Sequence, residues 1–504
     1  WKMSKEQNMK NKMLKGTIIL TVAGVITRVI GFLYRIFLAN LLGDTKLGIY
    51  QMIFPIYGIC FTLYASGLQT AVSQLVADPH LKNSKRVLKC GIFCSLCCSI
   101  TLSVLLFSFS DWISIHLLFA KETAPLLRIL SVIFPFCGIT SIINGYFYGK
   151  RHAKVPSITQ IIEQICRVGF VVAVFFCFQK SISCEIAVLG LIIGEMASNL
   201  YNLWNIRKEF SGKKENSKSR YEELIKKLLG QAIPLSATRL TISVLSAAEA
   251  VLIPIMLQFS GLNRTDSFAL YGITTGIVLP FILFPGTITN SLSVLLLPEV
   301  SKAFYERDNP KIMRTTQITI KYSLLLGCIA MAVFVCFGPQ IGTMFFHNPR
   351  SGKLLSLLSM ICPFVYVSTT LASIINGLSK SSITFRNTVI GLVLRIAFLI
   401  TATPYFGIYG YLLGMLVSQI LISILDGYYL VKRKYTKIDL IKWLVCPAIL
   451  FISSCYIGKK LFSINEILQY VPSTVCLVLI MGTFLVIPII ILYKGKMIQK
   501  QDFY

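Results

Sequence analysis

The sequence predicts an all-α polytopic membrane protein with about 14 transmembrane helices, arranged as two six-helix lobes followed by two C-terminal helices. Three observations support this fold class. Hydrophobic residues fill 55% of the 504 positions and charged residues only 14%, with a mean hydropathy of +0.71. Long apolar segments recur along the whole chain. The first half also shares a sequence repeat with the second, which argues against a string of unrelated soluble domains.

Each apolar segment reaches the roughly 17–25 residues that a transmembrane helix needs. The segments cover residues 14–41, 48–78, 88–110, 123–149, 155–178, 185–206, 228–258, 267–300, 316–338, 354–378, 384–404, 407–431, 440–458 and 467–493. An even number of spans places both termini on the same side of the membrane.

The basic residues predict which side that is. If the N-terminus is cytoplasmic, the cytoplasmic segments carry 35 Lys and Arg and the outer loops carry 8. Cytoplasmic loops of membrane proteins are enriched in Lys and Arg, so we expect both termini on the cytoplasmic side of the membrane. The net charge of +28 therefore indicates topology and contact with membrane lipids, not nucleic acid.

The repeat divides the chain. Residues 130–136 (LSVIFPF) match residues 358–364 (LSMICPF) at an offset of 228, which also pairs Gly149 with Gly377 and Arg167 with Arg395. We predict an N-terminal lobe at 14–206, a basic cytoplasmic linker at 207–227, a C-terminal lobe at 228–433 and two extra helices at 440–493. Six helices per repeat give two lobes related by an axis along the membrane normal, with a cavity between them.

Arginines inside the spans are the candidate ligand-binding residues. Arg28 and Arg35 are seven residues apart, about two helical turns, and so lie on one face of the first helix. Charged side chains persist in membrane helices where they face a polar interior. With Arg239, Arg395 and Arg167 they predict a cavity for an anion such as pyrophosphate, whose oxygens match the guanidinium fork.

Acids in or beside the spans are fewer than the arginines. Glu163 is four residues before Arg167 and we expect the two to pair, either as a structural ion pair or as part of the site. Glu249 can pair with an arginine or bind a coupling cation, and Asp44 follows the first helix. We interpret these three as coupling or structural acids.

The sequence contains no recognisable motif of an enzyme. The chain contains no GxxxxGK[ST] phosphate loop and no zinc motif, and the single CxxC, at Cys94 and Cys97, has no second pair and lies in an apolar segment. We therefore predict a transporter that is not an enzyme, with no catalytic residue, no metal and no cofactor.

Several segments resemble the stage V sporulation protein B group of the polysaccharide-flippase (MOP/MATE-like) superfamily, a relative of the lipid II flippases. They are KGTIIL at 15–20, TRVIGFLYR at 27–35, LLGD at 41–44, GIY at 48–50, GLQTAVSQLVA at 67–77, GYFYG at 145–149, QIIEQ at 160–164, ALYG at 269–272 and LP at 279–280.

The resemblance implies a flippase that moves an undecaprenyl-pyrophosphate-linked oligosaccharide, such as the peptidoglycan precursor lipid II for spore cortex, to the outer leaflet by alternating access. Arg28 matches the first functional arginine of the relatives' motif, and Arg35 lies one residue beyond the second. The two extra helices are implied to hold the lipid tail, and cell-wall synthesis proteins are possible partners. A teichoic or capsular repeat-unit flippase and a cation-coupled multidrug exporter of the same fold remain alternatives, and the driving force is open.

Overall fold

A computed structural model describes residues 2–78, 84–178, 183–210, 221–436, 439–468 and 473–494. Every regular element within these ranges is a helix. Contacts group the chain into two units, one ending at Gly272 and one beginning at Ile273.

The first unit contains helices α1 to α12. Their bounds are α1 (Lys2–Leu42), α2 (Asp44–Gln51), α3 (Ile53–Phe61), α4 (Gly67–Ala77), α5 (Ser84–Ser108), α6 (Ser110–Trp112), α7 (Ala124–Ser131), α8 (Ile133–Gly149), α9 (Lys154–Phe178), α10 (Cys184–Phe210), α11 (Tyr221–Phe259) and α12 (Arg264–Gly272). π-helical turns at Thr62–Ser66 and Ile113–Leu117 and a 3₁₀ turn at Lys121–Thr123 connect some of them.

The second unit contains helices α13 to α22. Their bounds are α13 (Leu279–Leu283), α14 (Thr287–Tyr305), α15 (Asn309–Phe346), α16 (Pro349–Leu358), α17 (Cys362–Gly377), α18 (Ser381–Thr401), α19 (Thr403–Phe406), α20 (Ile408–Lys432), α21 (Cys446–Leu468) and α22 (Ser473–Lys494). π-helical turns lie at Ile273–Val278 and Ile441–Val445, and a 3₁₀ turn at Ser359–Ile361.

Twelve helical segments of the described residues are long and apolar enough to cross a membrane. The helix pair Lys121–Ser131 and Ile133–Gly149, bent by 48°, makes a thirteenth if it forms one span, and a shorter apolar helix covers Leu479–Lys494. The predicted fold class is confirmed, with the predicted count of about 14 as an approximation. Part of the last predicted span, 467–493, lies outside the described residues.

Glycines allow the helices of the first unit to pack closely. A Cβ atom on Gly145 would lie 2.5 Å from the carbonyl oxygen of Gln69, and one on Gly149 would lie 2.6 Å from that of Ser73. These two glycines, four residues apart on α8, therefore let its backbone touch α4, the small-residue packing common between membrane helices. A core of buried side chains from α4, α5, α8 and α11 surrounds this crossing, including Tyr146.

The division by contacts falls later than the linker predicted at 207–227. Helix α11 packs against α3, α4 and α5, and α12 packs against α2, so both belong to the first unit by contact. Residues 211–220 of the predicted linker lie outside the described residues. The assignment of lobes at 14–206 and 228–433, which rests on the sequence repeat, stays a prediction.

Candidate functional site

Helix α1 presents its arginines beside α9. A Cβ atom on Gly31 would lie 3.0 Å from Nε2 of Gln164 on α9, so the missing side chain lets the two helices approach. Arg28 lies three residues before Gly31 and Arg35 four residues after it, on the same side of α1. The helix is continuous, which separates the two arginines by about 10.5 Å along its axis. Both residues are partly accessible at the protein surface.

Arg35 is the arginine of α1 that meets α9. It interacts electrostatically with Arg167 of α9 and with Tyr50 of α2. Tyr50 is buried, and so is Tyr34, the neighbour of Arg35 on α1. Among the described residues, no group forms a hydrogen bond with the Tyr34 hydroxyl.

Arg167 and Glu163 form the ion pair that the sequence predicts, between Nη2 and Oε1 on successive turns of α9. The Arg167 side chain is 20% exposed and that of Glu163 is 26% exposed, so the pair is largely removed from the surface. Arg167 Nη1 also donates to Oε1 of Gln164 over 3.4 Å. Nη2, one of the guanidinium nitrogens with which Arg167 would bind an anion, is therefore already engaged by Glu163.

Helix α10 brings a second acid to this pair. Gly194 makes the approach possible, because a Cβ atom there would lie 2.6 Å from the carbonyl oxygen of Glu163. The next residue, Glu195, is 5% exposed and interacts electrostatically with both Glu163 and Arg167. Its Oε1 atom is buried and forms no hydrogen bond with any described residue. We call Arg35, Glu163, Arg167, Glu195 and Tyr50 the α9 cluster.

Polar groups from α3 and α8 line the other side of Glu195. Thr140 of α8 is in hydrogen-bonding contact with the Glu195 side chain and also accepts a hydrogen bond from Nδ2 of Asn199 over 3.3 Å. The Tyr57 hydroxyl lies 3.2 Å from Sγ of Cys137. Tyr57 and Cys137 both interact electrostatically with Glu195. The groups that α3 and α8 present to Glu195 can thus form hydrogen bonds but carry no formal positive charge, and the cation near Glu195 is Arg167 of α9.

Arg239 lies away from the α9 cluster, on α11 against a π-helical turn. Its Nη1 atom donates to both the carbonyl oxygen and the hydroxyl of Ser66, each over 2.6 Å. A π-helical turn disturbs the regular backbone ladder, and such turns often occur at functional sites. The hydroxyls of Thr62 and Ser243 meet 3.0 Å apart in the same helix contact. Arg239 therefore has a structural contact, and its predicted role in ligand binding stays a prediction.

Arg395 lies in the second unit, partly buried on α18. At the position equivalent to Glu163 stands Gly391, where a Cβ atom would lie 2.6 Å from Cγ1 of Ile422 on α20. The side chain of Ile422 thus fills the space in which a local counter-ion would stand. The role predicted for Arg395 also stays a prediction.

The two remaining predicted acids occupy different environments. Glu249 is buried on α11 with 6% exposure. Asp44 is the first residue of α2, where a negative charge is favoured by the helix dipole. Its carbonyl oxygen packs against Gly272 of α12, so the start of α2 is held close to α12. Both acids have interaction partners, and a coupling role for either stays a prediction.

Sequence reasoning missed the importance of Glu195 and of the tyrosines. Glu195 is visible in the sequence as an acid inside an apolar span, but its spacing from Glu163 carries no signal because the two lie on different helices. Gly190 and Gly194, four residues apart, are the one local sign that this face of α10 packs closely on another helix. Among the described residues, no group of three or more His, Cys, Asp or Glu could hold a metal ion.

The α9 cluster contains the kind of groups that anion binding needs, and its role in ligand binding stays a prediction. Arg35 and Arg167 lie on membrane-spanning helices that pack against each other. A guanidinium group forms charge-assisted hydrogen bonds with phosphate or carboxylate oxygens. The neighbouring tyrosine hydroxyls can add further donors.

The fold is that of transporters of the MOP superfamily. The chain superposes on a multidrug resistance MATE family transporter in its inward-facing conformation with a TM-score of 0.64 and 16% sequence identity, covering 83% of this chain and 98% of the other. The predicted MATE-like fold is therefore confirmed.

The chain belongs to the polysaccharide biosynthesis protein family, which it matches over residues 13–304 and 303–468. It is 25% identical to stage V sporulation protein B of Bacillus subtilis (strain 168) over 436 residues, 83% of each chain. It is 22% identical to the lipid II flippase MurJ of the same organism over 458 residues, 84% of this chain and 83% of the relative. These findings confirm the family predicted from the sequence and place the chain with transporters, not enzymes.

Proposed function

We propose that this chain is a flippase that translocates an undecaprenyl-pyrophosphate-linked oligosaccharide across the bacterial inner membrane by alternating access. One observation carries the proposal: α1 and α9, two helices apolar and long enough to cross a membrane, pack against each other, and each carries an arginine within its span, Arg35 and Arg167. Arginine is costly in a membrane, and since Glu163 is the ion-pair partner of Arg167, the charge of Arg35 supports an anionic ligand. A peptidoglycan precursor such as lipid II, for spore cortex, is the substrate that the similarity to stage V sporulation protein B and to a lipid II flippase supports.

The geometry suits a pyrophosphate. Each guanidinium offers a planar fork of donors that binds two phosphate oxygens at once. Arg35 and Arg167 would hold one phosphate between α1 and α9, and Arg28, about 10.5 Å further along α1, would meet the next charged or polar part of the ligand. The prenyl tail would stay in the bilayer, with residues 440–493 as its proposed contact, and both termini would lie in the cytoplasm.

A cation-coupled multidrug exporter is the second candidate. The similarity in fold to a MATE transporter and the buried acid Glu195 favour it, since a cationic cargo needs membrane acids. The exposed arginines Arg28 and Arg35 argue against it, because they would repel such a cargo. A teichoic or capsular repeat unit would present the same phosphate chemistry as the peptidoglycan precursor, so it differs only in the sugar.

The experiment is mass spectrometry of the lipids that copurify with the protein. We expect an undecaprenyl-pyrophosphate sugar with the wild type and at least about tenfold less with Arg28→Gln/Arg35→Gln, since each lost charge-assisted contact is worth about 1.5–3 kcal/mol. Arg128→Gln is the matched control, because Arg128 is an exposed arginine that pairs with Asp111 away from the α9 cluster. The identity of the sugar distinguishes the flippase alternatives.

Two results would overturn the proposal. One is equal retention of the lipid by the wild type and by Arg28→Gln/Arg35→Gln. The other is absence of any prenyl-linked sugar from a wild-type protein that lowers the accumulation of cationic dyes in cells, which would favour the exporter.

A further inference from the structure

We propose that Glu195 is a proton-binding site, and that its proton decides whether Arg167 stays with Glu163 or turns to Glu195. Of the two cations in the α9 cluster, Arg167 is the one that interacts electrostatically with Glu195, and it also forms the ion pair with Glu163. Oε1 of Glu195 is buried and has no hydrogen-bond partner among the described residues. The effect of the Glu195 proton on Arg167 in the ligand-free protein rests on this geometry. Its effect on substrate binding rests on the proposed function.

An ionised carboxylate cannot remain as the structure shows Glu195. At 5% exposure in a membrane-spanning helix it has lost its water, and a buried charge persists only when it is paired and hydrogen-bonded. Thr140 is a hydrogen-bonding neighbour of the carboxyl group, and Oε1 has no partner among the described residues. The arrangement therefore corresponds to a neutral carboxylic acid, whose proton resides on the carboxyl group of Glu195.

The groups that face Glu195 from each packed element support this assignment. Helix α9 presents Glu163 and Arg167, helix α8 presents Cys137, and α3 and the following π-helical turn present Tyr57 and Tyr64. The thiol and the two phenols are neutral groups that give no counter-charge. Glu163 opposes ionisation of Glu195, and Arg167 is the cation that could compensate it.

Loss of the proton would thus reorganise the cluster. When the proton leaves Glu195, two carboxylates compete for Arg167, and Nη2 of Arg167 is drawn away from Glu163. Arg167 Nε, which is buried and has no hydrogen-bond partner among the described residues, gives the guanidinium an unused donor for the second acid. No covalent bond other than the O–H bond of Glu195 is made or broken.

This proton would be coupled to an anionic ligand. Protonation of Glu195 adds one positive charge to the cluster and strengthens its attraction for a pyrophosphate at Arg35 and Arg167. By linkage, binding of the anion then favours the protonated form, so proton and substrate would bind together. The affinity for the anion is therefore highest at low pH and falls as the pH rises through the titration of Glu195.

The direct test is infrared difference spectroscopy of the full-length protein in nanodiscs, titrated from about pH 6 to about pH 9. We expect a carbonyl stretch of a protonated carboxylic acid that disappears as the pH rises and is missing in Glu195→Gln. Gln has the shape of a protonated Glu, which favours folding. Glu185→Gln, on the same helix α10 but less buried, is the matched control and should keep the band. Glu195→Asp should shift the band without removing it, which covers a misfolded Gln variant.

An identical set of titrating bands in the wild type and Glu195→Gln would overturn the inference whatever the substrate is. The second measurement is the affinity for undecaprenyl pyrophosphate as the probe. Wild-type affinity should fall by up to tenfold per pH unit above the titration of Glu195, the limit for one linked proton, and should be independent of pH in Glu195→Gln. A titrating band with no binding of the probe would contradict the proposed function and leave the proton site intact, whereas pH-independent binding by the wild type would overturn the coupling.

Discussion

Helices α9 and α10 of the first unit and helices α18 and α20 of the second share a framework but differ in their charged residues. In the first unit Asn199 donates to the carbonyl oxygen of Phe136 over 3.0 Å, and in the second Ser423 donates to that of Phe364 over the same distance. Phe136 and Phe364 are repeat equivalents at an offset of 228, so the hydrogen bond relates α10 to α20 at an offset of 224.

A second pair of hydrogen bonds gives the same relation. Thr159 donates to Oδ1 of Asn202 over 2.8 Å, and the equivalent Asn387 donates to Oδ1 of Asp426 over 2.7 Å. Each unit therefore has one buried polar contact at the same place, between α9 and α10 in the first unit and between α18 and α20 in the second. The contact survives a change of residue type at both ends, which indicates that the framework needs a hydrogen bond here and not a particular pair.

The two acids of the α9 cluster, Glu163 and Glu195, have no acidic residue at the equivalent positions of the second unit. Glu163 corresponds to Gly391, and at the offset of 224 Glu195 corresponds to Gln419. Arg167, in contrast, keeps its equivalent Arg395. Because the second unit forms the equivalent hydrogen bonds with Gly and Gln at these positions, this pair of hydrogen bonds does not depend on the two acids.

The largest expected effect comes from removing Glu163, the acid that Gly391 replaces at the equivalent position of the second unit. Glu163→Ala should lower the free energy of unfolding by about 3 kcal/mol, because it leaves the largely buried Arg167 without its ion-pair partner. Thermal unfolding of the purified protein in detergent measures this loss. Glu163→Ala/Arg167→Ala should recover much of the stability, since no unpaired charge remains, and a double variant less stable than Glu163→Ala would contradict the explanation.

The sequence predicted most of the fold and part of the site, for identifiable reasons. Long apolar runs fix membrane helices because the bilayer demands them, and the four-residue spacing of Glu163 and Arg167 fixes an ion pair because it is local to one helix. Glu195 joins that pair across a helix interface that depends on Gly194, a tertiary contact that spacing does not encode. Arg239 was predicted as a ligand-binding residue because it is an arginine inside the first span of the second half, as Arg28 is in the first half. Its contact with Ser66 depends on a π-helical turn that the sequence does not predict.

A smaller effect should distinguish the two helix crossings. Gly194→Ala places a Cβ atom 2.6 Å from a backbone oxygen of α9, which cannot move by itself, and should cost about 2 kcal/mol. At Gly391 the obstacle is the flexible side chain of Ile422, so Gly391→Ala should change stability by less than about 0.5 kcal/mol once the gain in helix propensity is included. Thermal unfolding of the two variants in parallel tests this, and equal losses would show that the crossings are equally tight.

The shared hydrogen bond should also differ in strength between the units. Asn387→Ala removes the donor to the buried carboxyl group of Asp426 and leaves a cavity, and should cost about 1.5 kcal/mol, within the range for a buried acceptor that loses its partner. Thr159→Val removes a hydrogen bond but keeps the shape of the side chain, and should cost about 0.6 kcal/mol, the average for hydrogen bonds between membrane helices. Chemical unfolding measures both, and the reverse order would contradict this explanation.

The smallest expected effect comes from giving the second unit the acid that it lacks. Gln419→Glu puts a carboxyl group at the position equivalent to Glu195, on the helix that packs against Arg395. If the two units share their geometry as well as their hydrogen bonds, the new acid meets this arginine, and stability at neutral pH should rise by about 0.5 kcal/mol, a typical gain for an incompletely buried pair. Unfolding at neutral and at acidic pH measures it, since the gain should vanish once the carboxylate is protonated. A loss of stability would mean that Arg395 does not face Gln419, and that the units differ in the direction of their arginines as well as in the acids that surround them.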